Sequence, residues 1–292
     1  MKRHADLLIT ALAPAIWGST YVVTTLMLPA DYPLTMAMLR ALPAGLLLLL
    51  LVRQLPRGRW WARIFLLGAL NFSLFWAMLF VAAYRLPGGV AATLGAIQPL
   101  FVILLARLAL GSPIRPLALL GSMAGMLGVA LLVLTPQATL DPLGVAAGLA
   151  GAASMALGTV LSRRWQPPTT ALTFTAWQLV AGGLLLLPAA LLLEPEPPSM
   201  DALNVAGIAY LGLIGAALTY IIWFRGVARL EPAAVSSLGF LSPLSAVVLG
   251  WLLLEQSLSP AQLLGMAIVV GSVWLSQLPQ PSPAAALPAA RP

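Results

Sequence analysis

Long apolar runs, separated by short polar or Pro/Gly-rich segments, fill nearly the whole chain. Each run reaches the roughly 18 to 20 residues that a helix needs to cross the hydrocarbon core of a bilayer. The pattern predicts an all-α polytopic membrane protein with ten transmembrane helices and no soluble domain. The predicted spans, numbered in chain order, are residues 7–28, 33–52, 64–84, 90–110, 116–135, 143–162, 171–193, 203–224, 233–254 and 260–277.

The two ends of the chain need separate interpretation. Trp17, Ser19 and Thr20 lie at the centre of the first run, and no small-residue cleavage site ends it before Pro29. We therefore predict that this run is a helix of the bundle and not a cleaved signal peptide. The segment at residues 279–292, PQPSPAAALPAARP, is rich in Pro and Ala, and we expect it to be disordered.

The second half of the chain repeats the first half. A shift of 144 residues aligns helices 3–5 with helices 8–10 without a gap, and a shift of 138 residues aligns helix 2 with helix 7. Because each half holds an odd number of spans, the two halves must cross the bilayer in opposite directions. We predict two inverted five-helix repeats, residues 1–138 and 139–278. The matched pairs include Gly68/Gly212, Arg85/Arg229, Gly95/Gly239, Pro99/Pro243 and, under the second shift, Arg40/Gln178.

The distribution of charge predicts the orientation in the membrane. Of the 15 Lys and Arg residues, all except Arg40 and Arg85 fall on one side if the N-terminus is cytoplasmic. The positive-inside rule therefore places both termini in the cytoplasm. Topology explains the net charge of +7, so we expect no nucleic-acid partner. The acidic residues on the opposite side are Asp31, Asp141, Glu194, Glu196, Asp201 and Glu255.

Missing residue types exclude most enzymatic chemistry. The chain has no Cys and one His, His4, and its one Lys is Lys2. These residues cannot build a Cys/His metal cluster, a Cys nucleophile or the lysine-containing phosphate loop of an ATPase. We therefore predict no enzyme activity, no cofactor and no metal site.

Two prolines at matched positions predict kinks in helices 4 and 9. Pro99 and Pro243 lie near the middle of their helices, and each removes the donor for the carbonyl four residues earlier, at Gly95 and Gly239. In a membrane, such carbonyls are tolerated inside protein or beside a water-filled cavity. Either these kinks bend the helices around a substrate site, or they are packing features whose free carbonyls accept hydrogen bonds from water, Ser or Thr.

Polar and aromatic side chains at the predicted depth of the bilayer centre mark a candidate pocket. Such groups tend to face the interior of a helix bundle. Asn71, Phe75 and Met78 share one helix face, and Trp17 shares another with Tyr21. The amide side chains either contact solute or form interhelical hydrogen bonds. The predicted lining residues are Trp17, Tyr21, Asn71, Phe75, Met78, Gln98, Trp177, Tyr220, Ser237 and Phe240.

Arg40 is the one charge in the interior of a predicted span, about seven residues from the outer end of helix 2. It either attracts a carboxylate or closes an outer gate, or else it binds helix-end carbonyls of a neighbouring helix. No Asp or Glu occupies the centre of a span, so an intramembrane carboxylate for proton coupling is missing. A neutral pocket without proton coupling suits zwitterionic or uncharged solutes.

Several motifs resemble the drug/metabolite transporter superfamily of the EamA type, in particular the YddG-like amino acid exporters. They are WGSTYV from Trp17, LTMAMLRAL around Arg40, ALTY from Ala217 and LSPLSAVVLGWLLLEQSLSPAQLLG from Leu241, together with the five-plus-five duplication. The resemblance covers the chain to about residue 277. It implies a ten-helix carrier of the cytoplasmic (inner) membrane that exports amino acids by alternating access.

The aromatic residues of the candidate pocket indicate which amino acids are exported. We expect export of aromatic and other neutral or hydrophobic amino acids and related metabolites. The alternative is a drug or metabolite exporter of broad specificity. Small residues such as Gly121 and Gly125 are expected to allow close packing within one chain, so we expect a monomer in the lipid bilayer.

Overall fold

The computed structural model describes residues 2–29, 32–86, 88–133, 141–196, 199–253 and 257–278. Several sequence predictions fall outside these residues. They concern the tail at 279–292, the boundary between residues 138 and 139, the acidic residues Asp31 and Glu255, and the side chain of Tyr21.

Ten helices in the described part of the chain are long and apolar enough to cross a membrane, which confirms the predicted fold class. Five are unbroken: α2 (Pro33–Val52), α5 (Pro116–Val133), α6 (Pro142–Arg164), α7 (Ala171–Leu193) and α10 (Pro260–Gln277). Five are interrupted: α1 (Lys2–Trp17 and Ser19–Met27), α3 (Trp60–Gly68, Ala69–Ser73 and Leu74–Arg85), α4 (Gly88–Gly95 and Gln98–Leu110), α8 (Ala202–Gly212, Leu213–Leu218 and Thr219–Arg229) and α9 (Pro232–Leu238 and Leu241–Leu253).

The interruptions of α3, α4, α8 and α9 are of two kinds, whereas α1 is interrupted at Gly18 alone. The middle segments of α3 and α8 are π-helical, with one extra residue in the turn, and they occupy positions matched by the 144-residue shift. The breaks in α4 and α9 are short turns just before Pro99 and Pro243. A π-helical turn rotates all later side chains relative to a regular helix. It therefore changes which residues of α3 and α8 face the bundle interior.

One end of the bundle collects the arginines, and we refer to it as the arginine-rich end. Here Arg3 of α1 donates to the carbonyl of Gln277 at 3.0 Å, so both ends of the described chain lie together. Arg63 of α3 lies over the ring of Trp165, just after α6. Further ion pairs and hydrogen bonds at this end include Arg225–Asp6, Arg229–Asp6, Arg115–Glu231 and Arg163 to the Val227 carbonyl.

Acidic side chains hold helix ends together at the opposite end. Glu194 accepts hydrogen bonds from the backbone N–H groups of Leu34 and Thr35, at the start of α2. Asp141 caps α6 and pairs with Arg85 at 3.1 Å. The hydrogen bond from Arg85, helped by the N–H of Leu143, holds the pKa of Asp141 below its usual range. The free N–H groups of these helix starts thereby find partners.

Large apolar side chains cover the outside of the bundle. Leu192 is 81% exposed and Leu108 is 75% exposed, as expected for side chains that face lipid. The interior is packed with rings and small residues, and Phe72 and Trp223 are almost completely buried. The outside and the inside are thus both apolar, as in a membrane-embedded bundle.

Close packing of α2 against α7 depends on glycine. A Cβ at Gly45 would lie 2.7 Å from the backbone nitrogen of Val180, and one at Gly183 would lie 2.6 Å from Cβ of Leu42. The 138-residue shift that aligns α2 with α7 maps Gly45 onto Gly183 and Leu42 onto Val180. The two contacts therefore occupy matched positions. The two helices therefore meet through contacts that follow the sequence repeat.

We expect Gly45→Ala to lower the free energy of unfolding by about 1–3 kcal/mol, the usual cost of overpacking a rigid contact. The reason is that the added methyl group meets the backbone of α7, which cannot move without separating the helices. Thermal unfolding of the detergent-purified protein measures the effect. Gly271→Ala is the matched control, because a Cβ there meets nothing within 4 Å. Equal midpoints for both variants would contradict the packing argument.

Candidate functional site

Aromatic rings from α1, α3 and α8 meet inside the bundle. The ring of Tyr220 lies 5.0 Å from that of Trp17 and 4.6 Å from that of Phe72, measured between centroids. Trp17 also lies 5.2 Å from Trp223. Apart from the half-buried Trp17, these rings are buried. Such tilted ring contacts lie in the favourable range for aromatic pairs.

Further rings extend this cluster in both directions. Tyr220 contacts Phe224 at 5.7 Å, and Phe224 contacts Phe174 of α7 at 5.6 Å. On the other side, Phe72 contacts Trp76 at 5.4 Å. We refer to this continuous series as the aromatic chain. In order from the arginine-rich end, it consists of Phe174, Phe224, Tyr220, Phe72 and Trp76.

Arg40 lies at one end of the aromatic chain. Its guanidinium carbon is 5.2 Å from the centroid of the Trp76 ring, and its Nη2 donates to the carbonyl of Gly215 at 2.7 Å. Thr219 donates to the same carbonyl at 2.9 Å and accepts a hydrogen bond from the indole N–H of Trp17 at 2.9 Å. Gly215 lies in the π-helical turn of α8. This network joins α1, α2, α3 and α8.

A cavity of about 310 Å³ lies at the arginine-rich end, beside the other end of the aromatic chain. We refer to it as the Arg225 cavity. It lies between the connection of α6 to α7 and the last turns of α8. Its walls include Thr169, Phe174, Phe224, Arg225 and Arg229. The aromatic chain therefore leads from an open cavity to the half-buried Arg40.

Asn71 makes interhelical hydrogen bonds in this conformation. It is completely buried, and its Nδ2 donates to Oε1 of Gln178 at 2.7 Å and to Oγ of Ser162 at 3.2 Å. Asn71 lies in the π-helical turn of α3. The 144-residue shift maps Asn71 onto Gly215, and the 138-residue shift maps Arg40 onto Gln178. The contact of Asn71 with Gln178 is thus the repeat counterpart of the contact of Gly215 with Arg40.

Other predicted lining residues make different contacts. The indole N–H of Trp177 donates to the carbonyl of Gln54 at 2.6 Å. Ser237 donates to the carbonyl of Ala234, and Phe240 packs against Val129, Leu132 and Val269. Phe75 packs at the edge of the main core and Met78 packs beside Ala82, while Gln98 is a half-buried residue at the start of the second part of α4.

The structure corrects one prediction, that α9 contains a carbonyl without a hydrogen-bond partner. The sequence suggested that Pro243 leaves the Gly239 carbonyl unpaired, but the N–H of Ser242 donates to it at 3.1 Å. The turn at Gly239–Phe240 tightens to a three-residue spacing, which supplies the partner that proline cannot. In α4 the corresponding turn at Ala96–Ile97 precedes Pro99.

Sequence reasoning missed most of the aromatic chain. Its members Phe72, Trp76, Phe174 and Phe224 were not among the predicted residues, although Phe72 and Trp76 share a helix face by their spacing of four. Sequence reasoning chose the face of Asn71 and Phe75 instead. Both faces are apolar enough to face either lipid or protein, so only the contacts distinguish them.

Comparison with known proteins identifies the family. The profile of the EamA-like transporter family matches residues 5–134 and 142–278. Protein PecM of Dickeya dadantii is 48% identical over 267 residues, which cover 91% of this chain and 90% of PecM. The inner membrane transporter YedA of Escherichia coli, whose transport function is uncharacterized, is 31% identical and covers 90% of this chain and 87% of YedA.

A more distant relative and a solved structure are also similar to this chain. A probable terminal-alkyne amino-acid exporter of Streptantibioticus cattleyicolor is 27% identical over 75% of this chain and 74% of its own length. A solved structure with 20% identity superposes with a TM-score of 0.81 over 94% of this chain and 97% of its own length, which shows a shared fold. The matched family is a family of transporters and not of enzymes. The chain therefore belongs to the EamA-like transporter family, within the drug/metabolite transporter superfamily.

Proposed function

We propose that this transporter exports aromatic and other neutral or hydrophobic amino acids, and related metabolites, from the cytoplasm by alternating access. The observation that carries the proposal is the aromatic chain between the Arg225 cavity and Arg40. The ring or apolar side chain of a solute can pack against the rings of this series. The carboxylate of a solute can bind the guanidinium of an arginine at either end, because guanidinium forms paired hydrogen bonds with carboxylate.

The buried state of the aromatic chain suggests how transport proceeds. Tyr220, Phe72 and Trp223 are almost fully buried, so a solute must separate α8 from α1 and α3 to pass between them. Polar contacts between α1 and α8 oppose that separation: Trp17 donates to Thr219, the hydroxyls of Ser19 and Tyr210 bond to each other, and Asp6 pairs with Arg225 and Arg229. The contact of Arg40 with Gly215 holds α8 against α2 in the same way. We infer that these contacts break and re-form as the two repeats move relative to each other.

The proposed direction of transport is outward across the inner membrane, and both termini of the chain lie on the cytoplasmic side. Arginines collect at the end where α1 begins and α10 ends, in accordance with the positive-inside rule. The printed name of YedA gives an inner-membrane location for that relative. The name of the terminal-alkyne amino-acid exporter supports amino acids as the substrate class.

We expect Trp17→Ala to lower the initial rate of tryptophan counterflow in proteoliposomes by at least about tenfold. The substitution removes two ring contacts, each worth about 0.5–1.5 kcal/mol, and one hydrogen bond, worth about 1 kcal/mol. Radiolabelled tryptophan, threonine and glutamate are compared, and we expect saturable uptake of the two neutral amino acids. Trp274→Ala is the matched control, because Trp274 faces outward on α10 and is 64% exposed.

Either of two results would contradict this proposal. Equal loss of transport in Trp17→Ala and Trp274→Ala would show a general defect and not a role in the solute path. Absence of uptake of any amino acid by the unmodified protein would refute the substrate class. It would favour the exporter of broad drug or metabolite specificity, which competition with unrelated hydrophobic solutes would then test.

A further inference from the structure

The Arg225 cavity contains two hydrogen-bond donors that the fold leaves unused. Nη1 of Arg225 and Oγ1 of Thr169 are shielded from water, and neither has a partner among the described residues. Both residues line the cavity. Buried polar groups in folded proteins nearly always have a hydrogen-bond partner, so two unpaired donors beside one cavity need an explanation.

The net positive charge of the arginines beside this cavity favours binding of one negatively charged group. Arg225 and Arg229 both pair with the same carboxylate oxygen of Asp6, at 2.7 and 3.3 Å. Two guanidinium groups thus share one carboxylate, which leaves one uncompensated positive charge. Asp6 also holds Arg225 by its Nη2 atom, so Nη1 remains available for a ligand.

The remaining wall of the cavity is aromatic. Phe174 and Phe224 both line it, and their ring centroids are 5.6 Å apart. These two residues are also the first members of the aromatic chain, because Phe224 contacts Tyr220. A ligand whose acid group reaches Arg225 would therefore place its apolar part against the beginning of the proposed solute path.

We propose that the Arg225 cavity binds monocarboxylates that carry an aromatic or other apolar side chain, and that an amino acid binds here first before it enters the aromatic chain. This inference rests on the proposed export function. The carboxylate accepts hydrogen bonds from Nη1 of Arg225 and Oγ1 of Thr169 after rotation of these side chains. The solute side chain packs on Phe174 and Phe224. A lipid phosphate could use the arginine but not the rings.

Binding to the full chain in nanodiscs of zwitterionic lipid tests the proposal. Tritiated tryptophan is the probe, and its competitors are indole-3-propionate, which keeps the carboxylate, and tryptamine, which lacks it. We expect competition by indole-3-propionate and little by tryptamine. Thr169→Val preserves the side-chain shape and should weaken tryptophan binding about five- to twentyfold, and Arg225→Gln should weaken it at least as much.

Matched controls exclude general effects of the substitutions. Thr25→Val changes an exposed threonine of α1, and Arg164→Gln changes an exposed arginine at the end of α6. We expect both controls to bind tryptophan as the unmodified protein does. Thermal unfolding of every variant shows whether it is folded, and Thr169→Val keeps the test valid if Arg225→Gln fails to fold.

The outcomes separate this inference from the proposed function. Unchanged tryptophan binding in Thr169→Val would overturn the inference, and export would stand if Trp17→Ala still impaired transport. Absence of binding of either carboxylate to the unmodified protein would also overturn the inference. Displacement of tritiated tryptophan by added phosphatidylglycerol would overturn the inference and assign the cavity to anionic lipid. Carboxylate binding that depends on Thr169, in a protein that transports no amino acid, would refute only the export proposal.

Discussion

Replacement of Arg40 by methionine is expected to reduce tryptophan transport by at least about 30-fold and to lower the thermal midpoint by several degrees. The side chain makes a charged hydrogen bond to Gly215, worth about 1.5–3 kcal/mol, and a cation–π contact with Trp76, worth about 0.5–2 kcal/mol. If the variant loses at least about 2 kcal/mol of stabilisation in this conformation and none in the other, the equilibrium between the two conformations shifts away from this one by roughly 30-fold. Methionine keeps the apolar length of the side chain, so the packing cost is small.

Two further variants make this expectation specific. Arg40→Lys keeps the charge but not the planar guanidinium, so we expect only partial recovery of transport. Arg85→Met is the control for loss of an arginine, because its ion pair with Asp141 is partly exposed and such pairs contribute little. Transport by Arg40→Met within about twofold of the unmodified protein would show that the contact with Gly215 is dispensable.

The second large effect is expected where Asn71 bonds to Gln178. Asn71→Leu and Gln178→Met keep the approximate side-chain shapes but remove one partner each, which should lower the free energy of unfolding by about 1–3 kcal/mol per variant. The double variant should cost less than the sum, with a coupling of about 1 kcal/mol, because it leaves neither partner amide buried and unpaired. Thermal or chemical unfolding of the four proteins measures the coupling.

The same variants decide between the two roles that the sequence left open for Asn71. An interhelical role predicts that Asn71→Leu and Gln178→Met affect stability similarly and leave the KM for tryptophan unchanged. Ser272→Ala is a suitable control, because it alters a buried hydroxyl in α10 that bonds within its own helix. A raised KM in Asn71→Leu alone would instead indicate direct contact with solute.

Two interhelical contacts at positions that the predicted repeat matches differ in their chemistry. Asn71 with Gln178 and Gly215 with Arg40 occupy matched positions at matched π-helical turns. In the first half a neutral amide pair joins α3 to α7, whereas in the second half a guanidinium binds a backbone carbonyl of α8. The guanidinium of the second contact lies over the Trp76 ring at the end of the aromatic chain. The two contacts therefore differ in charge.

The sequence by itself determined the features that depend on local chain properties. Hydrophobic length predicted the ten spans, because a bilayer of fixed thickness requires about 20 apolar residues per helix. Matched glycines and prolines predicted the repeat, and contacts such as Gly45 with Val180 and Gly183 with Leu42 follow its shift. The prolines also indicated where α4 and α9 are interrupted, since proline cannot continue the hydrogen-bond ladder.

Only the tertiary structure decided which helix faces meet. In a soluble protein the polar face of a helix identifies the apolar face as the core, but here lipid and protein interior both accept apolar side chains. The π-helical turns at Ala69–Ser73 and Leu213–Leu218 further rotate the following residues. Contacts between distant parts of the chain therefore brought Phe72 and Tyr220 together and directed Trp177 to the carbonyl of Gln54.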